Sequence, residues 1–376
     1  MRRAAPKGGA KGKSPGGRAG RLEDLRRSVD GLDRRIVDLL IRRLGIGRRI
    51  LDAKRVEGGR AYDPTRERHV LARLQSLAGG KIPKGSLQAI YREIISATRT
   101  LQAQSPIAYL GSEGSLAHYA ANLRFGSSAP VVAVRRPVDL FEWVESGRGR
   151  YGLFTMEGWS EQASLDSLDQ FLGTRLKILA EFYVEDAYGL FTKPGARSIR
   201  RVYAHPTALA ACAGWVEAQA ERLEVVATAT SLEAGRLASR GRTAGALGNP
   251  LLESLCGLER RAELLNDDGQ RHRRFLILSE DQLPRTGNDK TSLLTVIPNR
   301  PGGLHLLTTI LARRKINLCW IQARVTRIGT WDHIFWLEVE GHRDEKRVKD
   351  CLQELRGSLE YLKVIGSYPL ERPPIG

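Results

Sequence analysis

From Leu22 onward the apolar positions follow a three-four repeat: Leu22, Leu25, Val29, Leu32, Ile36, Leu39, then Ile46 and Ile50. Held over four heptads, this spacing predicts one long helix that packs in a bundle or a coiled-coil-like pair. The position due between Leu39 and Ile46 is 43, and it holds arginine. A guanidinium in a buried seam is costly unless it is paired. Lys54 follows three turns later, within about 20° of the same face at the α-helical pitch, so Arg43 and Lys54 point into one space. Arg26 lies about 100° away from Arg43 around the helix. It is poorly placed to share a site with Arg43 in its own protomer but could serve one across a dimer. Asp63 and Pro64 read as the N-cap and first position of a second helix, with Arg66 and Glu67 on the face of Asp63. A third helix, roughly 84–103, brings Thr98 and Gln102 one turn apart. The pattern alone leaves two readings open. Arg43 snorkels and the rest is surface charge, or the cations, the acid and the amide converge on a polar site.

The pattern then changes. Between 106 and 282 short β-rich runs alternate with helical stretches: Ile107–Leu110, Val131–Val134, Tyr151–Met156, Leu176–Leu179, Tyr188–Thr192, Arg201–Ala204, Leu223–Ala227 and Phe275–Leu278. Such alternation predicts an α/β domain with a partly parallel sheet. Residues 283–288 read as a linker. Residues 289–371 read β-α-β-β-α-β, the ferredoxin-like order of an α+β domain. The helix of its first half starts at Pro301 and Gly302, and its last strand is Tyr361–Tyr368.

Composition adds limits. Of 376 residues, 41% are hydrophobic and 27% charged, the balance of a globular protein. No run approaches the length of apolar residues a membrane span needs, and the basic N-terminus lacks the apolar stretch of a secretory signal. No membrane partner is expected. Cys212, Cys256, Cys319 and Cys351 form no CxxC pair, so they predict reduced, mostly buried thiols of a cytoplasmic protein, with no zinc site and no other metal. Net charge is +18, which raises nucleic-acid binding as a rival reading. A third of the excess sits in residues 1–20, a Gly/Ala/Pro/Lys-rich tail with Arg2, Arg3, Lys7, Lys11, Lys13 and Arg18 and no acid, which predicts disorder. The rest of the chain has no basic stripe interleaved with aromatics. The charge therefore predicts incidental polyanion affinity, and an anionic small substrate accounts for part of it.

The helical region resembles the all-helical chorismate mutase family. The residues that carry the resemblance are Leu25-Arg26, Val29-Asp30, Leu32-Asp33, Leu39-Leu40, Arg43, Lys54, Tyr62-Asp63-Pro64, Arg66-Glu67, Glu93 to Thr98, and Gln102, at the family's spacings across residues 21–105. The resemblance implies an active site shared between two intertwined protomers of a homodimer or higher homo-oligomer. It implies that Arg26 of the partner and Arg43 bind the two carboxylates of chorismate, and that Lys54 and Gln102 donate to the breaking ether oxygen. Glu67 and the Asp63 region would hold the ring hydroxyl, with Arg66 and Thr98 completing the pocket. The Claisen rearrangement is unimolecular. A protein can speed it only by holding the folded conformer and stabilising charge on the ether oxygen, so no cofactor is implied.

Residues 106–282 resemble prephenate dehydratase, a two-lobed fold like the periplasmic binding proteins. Ile107 to His118 is similar to its first glycine motif, around Gly111, Gly114 and Ser115. Tyr203-Ala204-His205-Pro206 is similar to its second-lobe signature, and Gly245-Ala246-Leu247-Gly248 and Arg274-Phe275 to later motifs. The resemblance implies a site around Ser115, Glu157, His205, Arg273, Arg274 and Phe275. Two departures stand out. The family's Pro-x-Glu-Asn-Ser segment is Thr155-Met156-Glu157-Gly158-Trp159 here, and its Thr-Arg-Phe is Arg273-Arg274-Phe275. The family's threonine acts at the departing hydroxyl, whereas arginine stays protonated and cannot relay a proton as a hydroxyl does. The domain is then a poor dehydratase, a silent scaffold, or a module turned to another anionic ligand or another prephenate reaction. Residues 289–371 resemble an ACT domain, which implies phenylalanine as effector and a ligand site near Gly303, Leu304, Gln322 and Arg324. The family's Glu-Ser-Arg-Pro motif reads Gln322-Ala323-Arg324-Val325, so a dimerising domain without ligand stands beside a working sensor. The three resemblances together point to a bifunctional chorismate mutase–prephenate dehydratase chain of phenylalanine biosynthesis, acting on chorismate and prephenate.

Overall fold

The computed structural model describes residues 16–56, 64–100, 105–155, 170–263, 265–267, 272–298, 300–325 and 333–373. The chain divides after Gly59 into two compact units. The division falls inside the residues whose pattern predicts a single helical domain. In the first unit, α1 (Gly16–Val56) is one continuous helix, about 60 Å long at the α-helical rise. It begins inside the segment whose composition predicts a disordered tail. A helix once nucleated gains one hydrogen bond per added residue, which carries it N-terminally through Arg18 and Ala19. Its apolar stripe is exposed: Leu22, Leu25, Val29, Leu32, Ile36, Leu39, Ile46 and Ile50 are all more than half exposed, from 51% to 63%.

The second unit opens with α2 (Pro64–Ala78) and α3 (Lys84–Thr100). The helices pack on each other, and α3 also packs on α4 (Leu116–Phe125). Glu93 ties α3 to the loop after α4: its carboxylate accepts from the Ser127 amide at 3.1 and 3.2 Å and from the Ser127 hydroxyl at 2.8 Å.

Two five-stranded sheets follow. The first lobe holds β1 (Ile107–Leu110), β2 (Val131–Val134), β3 (Gly152–Thr155), β4 (Lys177–Glu185) and the late strand β10 (His272–Ser279). Their order is β2-β1-β3-β10-β4. β1 runs parallel to β2 and β3, and β10 is antiparallel to both its neighbours. The other lobe holds β5 (Gly189–Thr192), β6 (Arg201–Ala204), β7 (Glu224–Ala227), β8 (Ala244–Gly248) and β9 (Glu259–Ala262), in the order β7-β6-β8-β5-β9. The chain crosses between the lobes twice, at 186–188 and again between β9 and β10. Strands β8 and β9 escape the sequence reading. β8 is Ala-Gly-Ala-Leu-Gly, with no β-branched residue, and β9 is Glu-Arg-Arg-Ala. Pairing makes them strands where propensity does not, and β8 is in addition buried along its whole length.

The last four strands are β11 (Asp289–Val296), β12 (Leu318–Val325), β13 (His333–Glu340) and β14 (Tyr361–Pro369), in the order β12-β13-β11-β14. Helices α10 (Gly303–Arg313) and α11 (Lys346–Ser358) cover one face. The other face packs on the first lobe, where Leu294, Ile334, Trp336, Ile365 and Tyr368 share a core with Ile178, Leu276, Leu278 and Phe171. Gly366 permits the approach: a Cβ there would lie 2.5 Å from the Ile178 carbonyl oxygen.

Set in this apolar contact is a buried ion cluster. The Arg274 Nε donates to Glu181 at 2.8 Å and its Nη2 to Glu338 at 2.6 Å. The Lys290 ammonium bridges the same two carboxylates at 2.7 and 2.8 Å. Trp336 Nε1 and the Ser292 hydroxyl also donate to Glu338, and the Tyr368 hydroxyl accepts from Arg274 at 3.1 Å. None of the four charged residues is more than 5% exposed. Burial by itself would raise the Glu338 pKa. The charges and hydrogen bonds of Arg274 and Lys290 outweigh it and hold the carboxyl down to about 2, from an ordinary 4.5.

Removing one partner of a buried pair leaves an uncompensated charge, so Glu338→Gln should destabilise the fold by about 3–5 kcal/mol near neutrality. The folded carboxyl has the lower pKa, so its contribution is complete above pH 4.5 and fades as the pH falls toward 2. Thermal midpoints of wild type and variant should therefore differ most near pH 7 and converge in acid. Equal midpoints at pH 7 would refute the assignment.

Candidate functional site

A cavity of about 260 Å3 lies between the two lobes, slightly below the roughly 300–1,000 Å3 usual for small-molecule pockets. From the first lobe it is lined by Gly111, Ser112 and Ser115, by Thr155 at the end of β3, and by Arg273 and Phe275 on β10. From the other lobe come His205, Thr207, Ser231 and Asn249, and Tyr188 comes from the first crossing.

The glycine motif of the first lobe works as a turn into a helix. Ser115 is the N-cap of α4, its hydroxyl accepting from the His118 amide at 3.3 Å. Gly114 has φ +80°, and a Cβ there would meet the Leu232 nitrogen of the other lobe at 3.0 Å. The His118 ring lies beneath the turn, stacked on Tyr109 at 5.1 Å, with Nδ1 accepting from the Gly114 amide at 3.1 Å. In the other lobe, His205 caps the short helix α6 (Pro206–Ala211) through Nδ1, which accepts from Thr207 N at 3.2 Å. Burial lowers the pKa of both imidazoles, against a smaller opposing pull of Glu113 on His118. The first turn of α8 (Ser231–Arg240) also reaches the cavity. Asn249 joins the lobes. It is 1% exposed, its Nδ2 donates to the Gly114 carbonyl at 2.8 Å, and its Oδ1 accepts from Leu251 N at 3.0 Å.

The floor is formed where the crossings meet. Asn266 on the second crossing accepts from the Tyr188 amide at 2.9 Å and donates to the Asp186 carbonyl. Arg273 Nε donates to Asp186 Oδ2 at 2.6 Å, with the arginine 21% and the aspartate 2% exposed. Burial, and then the Asp186 charge, push the Tyr188 phenol well above its ordinary value, so it remains a neutral hydroxyl. Phe275 stacks on Phe182 with ring centroids 5.6 Å apart.

Of the residues expected at this site, Ser115, His205, Arg273 and Phe275 come together. Arg274 does not. It alternates with Arg273 on β10 and so faces the opposite side of the sheet, where Leu276 and Leu278 pack and the ion cluster holds its guanidinium. Glu157 and Trp159 lie outside the described residues. Asp186, Tyr188 and Asn249 were not singled out from sequence. An Asn-Pro pair directly after the Gly245–Gly248 motif was the available signal for Asn249.

The residues expected to act on chorismate are distributed as follows. Arg26, Arg43 and Lys54 lie on α1, where Arg26 sits 3.8 Å from Glu23; the Lys54 side chain is outside the description. Arg66 and Glu67 lie in the first turn of α2. Thr98 lies on α3, its hydroxyl donating to Ile94 O at 2.8 Å. Asp63 and Gln102 fall outside the described residues. In the C-terminal domain, Gly303 opens α10, and a Cβ there would meet Pro298 O at 2.4 Å. Leu304 is exposed, and Gln322 and Arg324 sit on the edge strand β12 opposite Trp336 and Ile334. Among the described residues no three His, Cys, Asp or Glu side chains gather as a metal site, and no helix is long and apolar enough to cross a membrane.

Family profiles match three consecutive stretches: chorismate mutase type II over 25–103, prephenate dehydratase over 107–283 and the ACT domain over 291–357. A bifunctional chorismate mutase/prephenate dehydratase of Aquifex aeolicus is 32% identical over 353 residues, covering 93% of this chain and 98% of that one. A protein of the same name from Pseudomonas aeruginosa is 30% identical, covering 93% and 97%. Among solved structures, a prephenate dehydratase of Arthrobacter aurescens in complex with L-Phe is 25% identical with a TM-score of 0.62, covering 72% of this chain and 92% of that one.

The buried His118 ring should titrate below its ordinary 6.5. Below that pH the unfolded chain binds a proton that the folded chain lacks, so this residue's contribution to stability falls as the pH drops. An NMR titration of the ring protons checks this, and a midpoint at or above 6.5 would contradict the buried neutral imidazole.

Proposed function

The chain belongs to the bifunctional chorismate mutase/prephenate dehydratase family, and from that membership we propose that it converts chorismate to prephenate in phenylalanine biosynthesis. The observation that carries the reading is the polar set Arg26, Arg43, Lys54, Arg66, Glu67, Thr98 and Gln102, complete within the stretch that the chorismate mutase profile matches. Each member has a task. Arg26 of a second protomer and Arg43 hold the two carboxylates, for which a planar guanidinium is better suited than an ammonium. Lys54 and Gln102 donate to the ether oxygen as its bond to carbon lengthens and charge collects there. Glu67, with the Asp63 region, orients the ring hydroxyl, and Arg66 and Thr98 close the pocket.

The bare stripe of α1 supports a homodimer. Each large apolar side chain is worth about 1.5–3 kcal/mol when fully buried, and a second copy of the helix offers the matching surface. The four free cysteines support a cytoplasmic setting.

Dehydratase chemistry is weak or absent in this reading. Arg273 stands in the cleft where the family has a threonine hydroxyl, and it is ion-paired and permanently charged. A fully bifunctional enzyme that goes on to phenylpyruvate is the second reading, favoured by the near full-length match to relatives that bear the bifunctional name. Phenylalanine is the effector suggested by the ACT profile and by the Arthrobacter complex. With Gln322 and Ala323 in the ligand motif, we read the domain first as a dimerising one.

Chorismate supplied to the purified chain, with products separated by chromatography without an acid quench, should yield prephenate that persists. Phenylpyruvate formed enzymatically would instead establish the second reading. Lys54→Ala should lower turnover by about a hundred-fold or more, the usual cost of removing one donor to developing charge. Near wild-type rates would eliminate Lys54 from the mechanism. Leu32→Asp on the α1 stripe should cost both the dimer, seen by light scattering, and the turnover. A fully active monomer would exclude the shared site.

A further inference from the structure

The sheet of the second lobe has two ends. At one end β6 runs into His205 and β8 into Asn249, and both residues line the cleft. At the far end lie the starts of β6, β7 and β8, since β7 and β8 both run parallel to β6. The end of β5 and the start of β9 join them, since β5 is antiparallel to β8 and to β9. The sequence makes this far end basic. Residues 193–201, from just after β5 to the first residue of β6, and 236–244, from α8 to the first residue of β8, hold seven arginines and lysines and no acid. Backbone pairing brings the two segments together: the amides of Arg200 and Arg201 donate to the Thr243 carbonyl at 2.8 and 3.3 Å, and Arg201 stands opposite Ala244.

Arg197, Arg200, Arg201, Arg240 and Arg242 are all exposed. Arg201 is paired with Glu224 on β7, Nε donating to Oε2 at 2.8 Å. The side chains of Arg197, Arg200, Arg240 and Arg242 make no hydrogen bond or ion pair among the described residues. The acids of this end stand at its flanks: Glu221 and Glu224 by the start of β7, and Glu259 at the start of β9, where it accepts from the Gly195 amide at 3.3 Å. Like charges held side by side create a positive field that a polyanion relieves. Three features identify the kind of polyanion. The large exposed apolar side chains of the described residues lie on α1, between 77 and 90, and in the ACT domain, with none in this lobe, whereas a protein interface centres on apolar and aromatic anchors. The unpaired cations are all arginine, whose planar fork matches phosphate oxygens. The two segments hold no aromatic residue on which a base could stack.

We propose that the end of the second lobe opposite the cleft is a docking surface for the phosphodiester backbone of a nucleic acid, held through its phosphates and without sequence reading. Backbone contacts of this kind position a duplex but carry no sequence information. The surface is independent of the mutase reading and of the basic residues 1–20.

The test is fluorescence anisotropy of the full chain with a labelled, mixed-sequence DNA duplex of about 20 base pairs, titrated from about 50 to 200 mM salt. Each phosphate contact adds about 0.9 to the slope of log affinity against log salt. The quadruple variant Arg197→Gln, Arg200→Gln, Arg240→Gln and Arg242→Gln should flatten that slope by about 3 and weaken binding at low salt by about ten-fold or more. Its thermal midpoint should stay at the wild-type value, because the four side chains are exposed and unpaired. The same four positions changed to lysine should keep most of the affinity, and a duplex of unrelated sequence should bind alike. Deletion of residues 1–20 should leave the arginine-dependent component in place. A glutamine variant that binds as wild type does, or a loss that follows only the deletion, overturns the proposal. A strong preference between the two duplexes overturns the sequence-independent mode. Polyglutamate or phosphatidylserine vesicles that bind as tightly as the duplex, through the same arginines, overturn the phosphodiester assignment.

Discussion

The arrangement of the second unit depends on four charges closed off from water between two sheets. Glu181 and Arg274 come from the first lobe, and Lys290 and Glu338 from the ACT sheet. The cluster is neutral as a whole, and every charge in it is hydrogen-bonded, which is the condition under which buried ions are tolerated. Such a cluster adds little net stability over well-packed apolar residues. Its strength is that it tolerates few arrangements. A sheet shifted by one residue would leave a carboxylate facing hydrocarbon, so the ACT sheet has one register on the lobe. Gly366, close against the Ile178 backbone, and Lys363, donating to the carbonyls of Phe171, Leu172 and Thr174, act in the same sense.

The ACT sheet packs on β4 and β10, and β10 also forms the floor of the cleft. Its residues alternate between the two tasks: Arg274, Leu276 and Leu278 face the ACT side, while Arg273, Phe275 and Ile277 face the other. A strand that contributes to the contact with the C-terminal domain therefore also sets where the Arg273–Asp186 pair stands between the lobes. The crossings are bound to each other by Asn266, and Asn249 bonds the lobe tips at Gly114. Together these contacts leave a small cavity with Arg273 at its base. The long helix α1 is the opposite case. Its side chains carry part of the proposed mutase chemistry, and its apolar stripe is exposed.

The adjacent arginines at 273 and 274 show how far sequence reading reaches and where it stops. The run Arg-Arg-Phe was recognisable as the altered form of a site motif, and the loss of a hydroxyl was plain from residue identity. All three residues nevertheless looked like site residues, because linear spacing carries no direction until the segment is known to be a strand. Once it is, a period of two sends Arg274 to the far face. Strands β8 and β9 were hidden for a related reason. Their small or charged residues have no strand preference of their own, and pairing with neighbouring strands imposes it.

What the sequence determined by itself was the order of the three domains, the long helix with its apolar seam, the helix-capping turn at Ser115, and the presence of an arginine at 273. These follow from periodicity, capping chemistry and residue identity, all of which act over a few neighbouring positions. Tertiary structure alone decided that Asp186 would be the partner of Arg273, that Asn249 would join the lobes, and that Glu181, 93 residues from Arg274 along the chain, would neutralise it. Burial costs an unpaired charge so much that each must find a counter-charge in space. Which one it finds depends on how the sheets close, and that closure is set by contacts between residues far apart in the sequence.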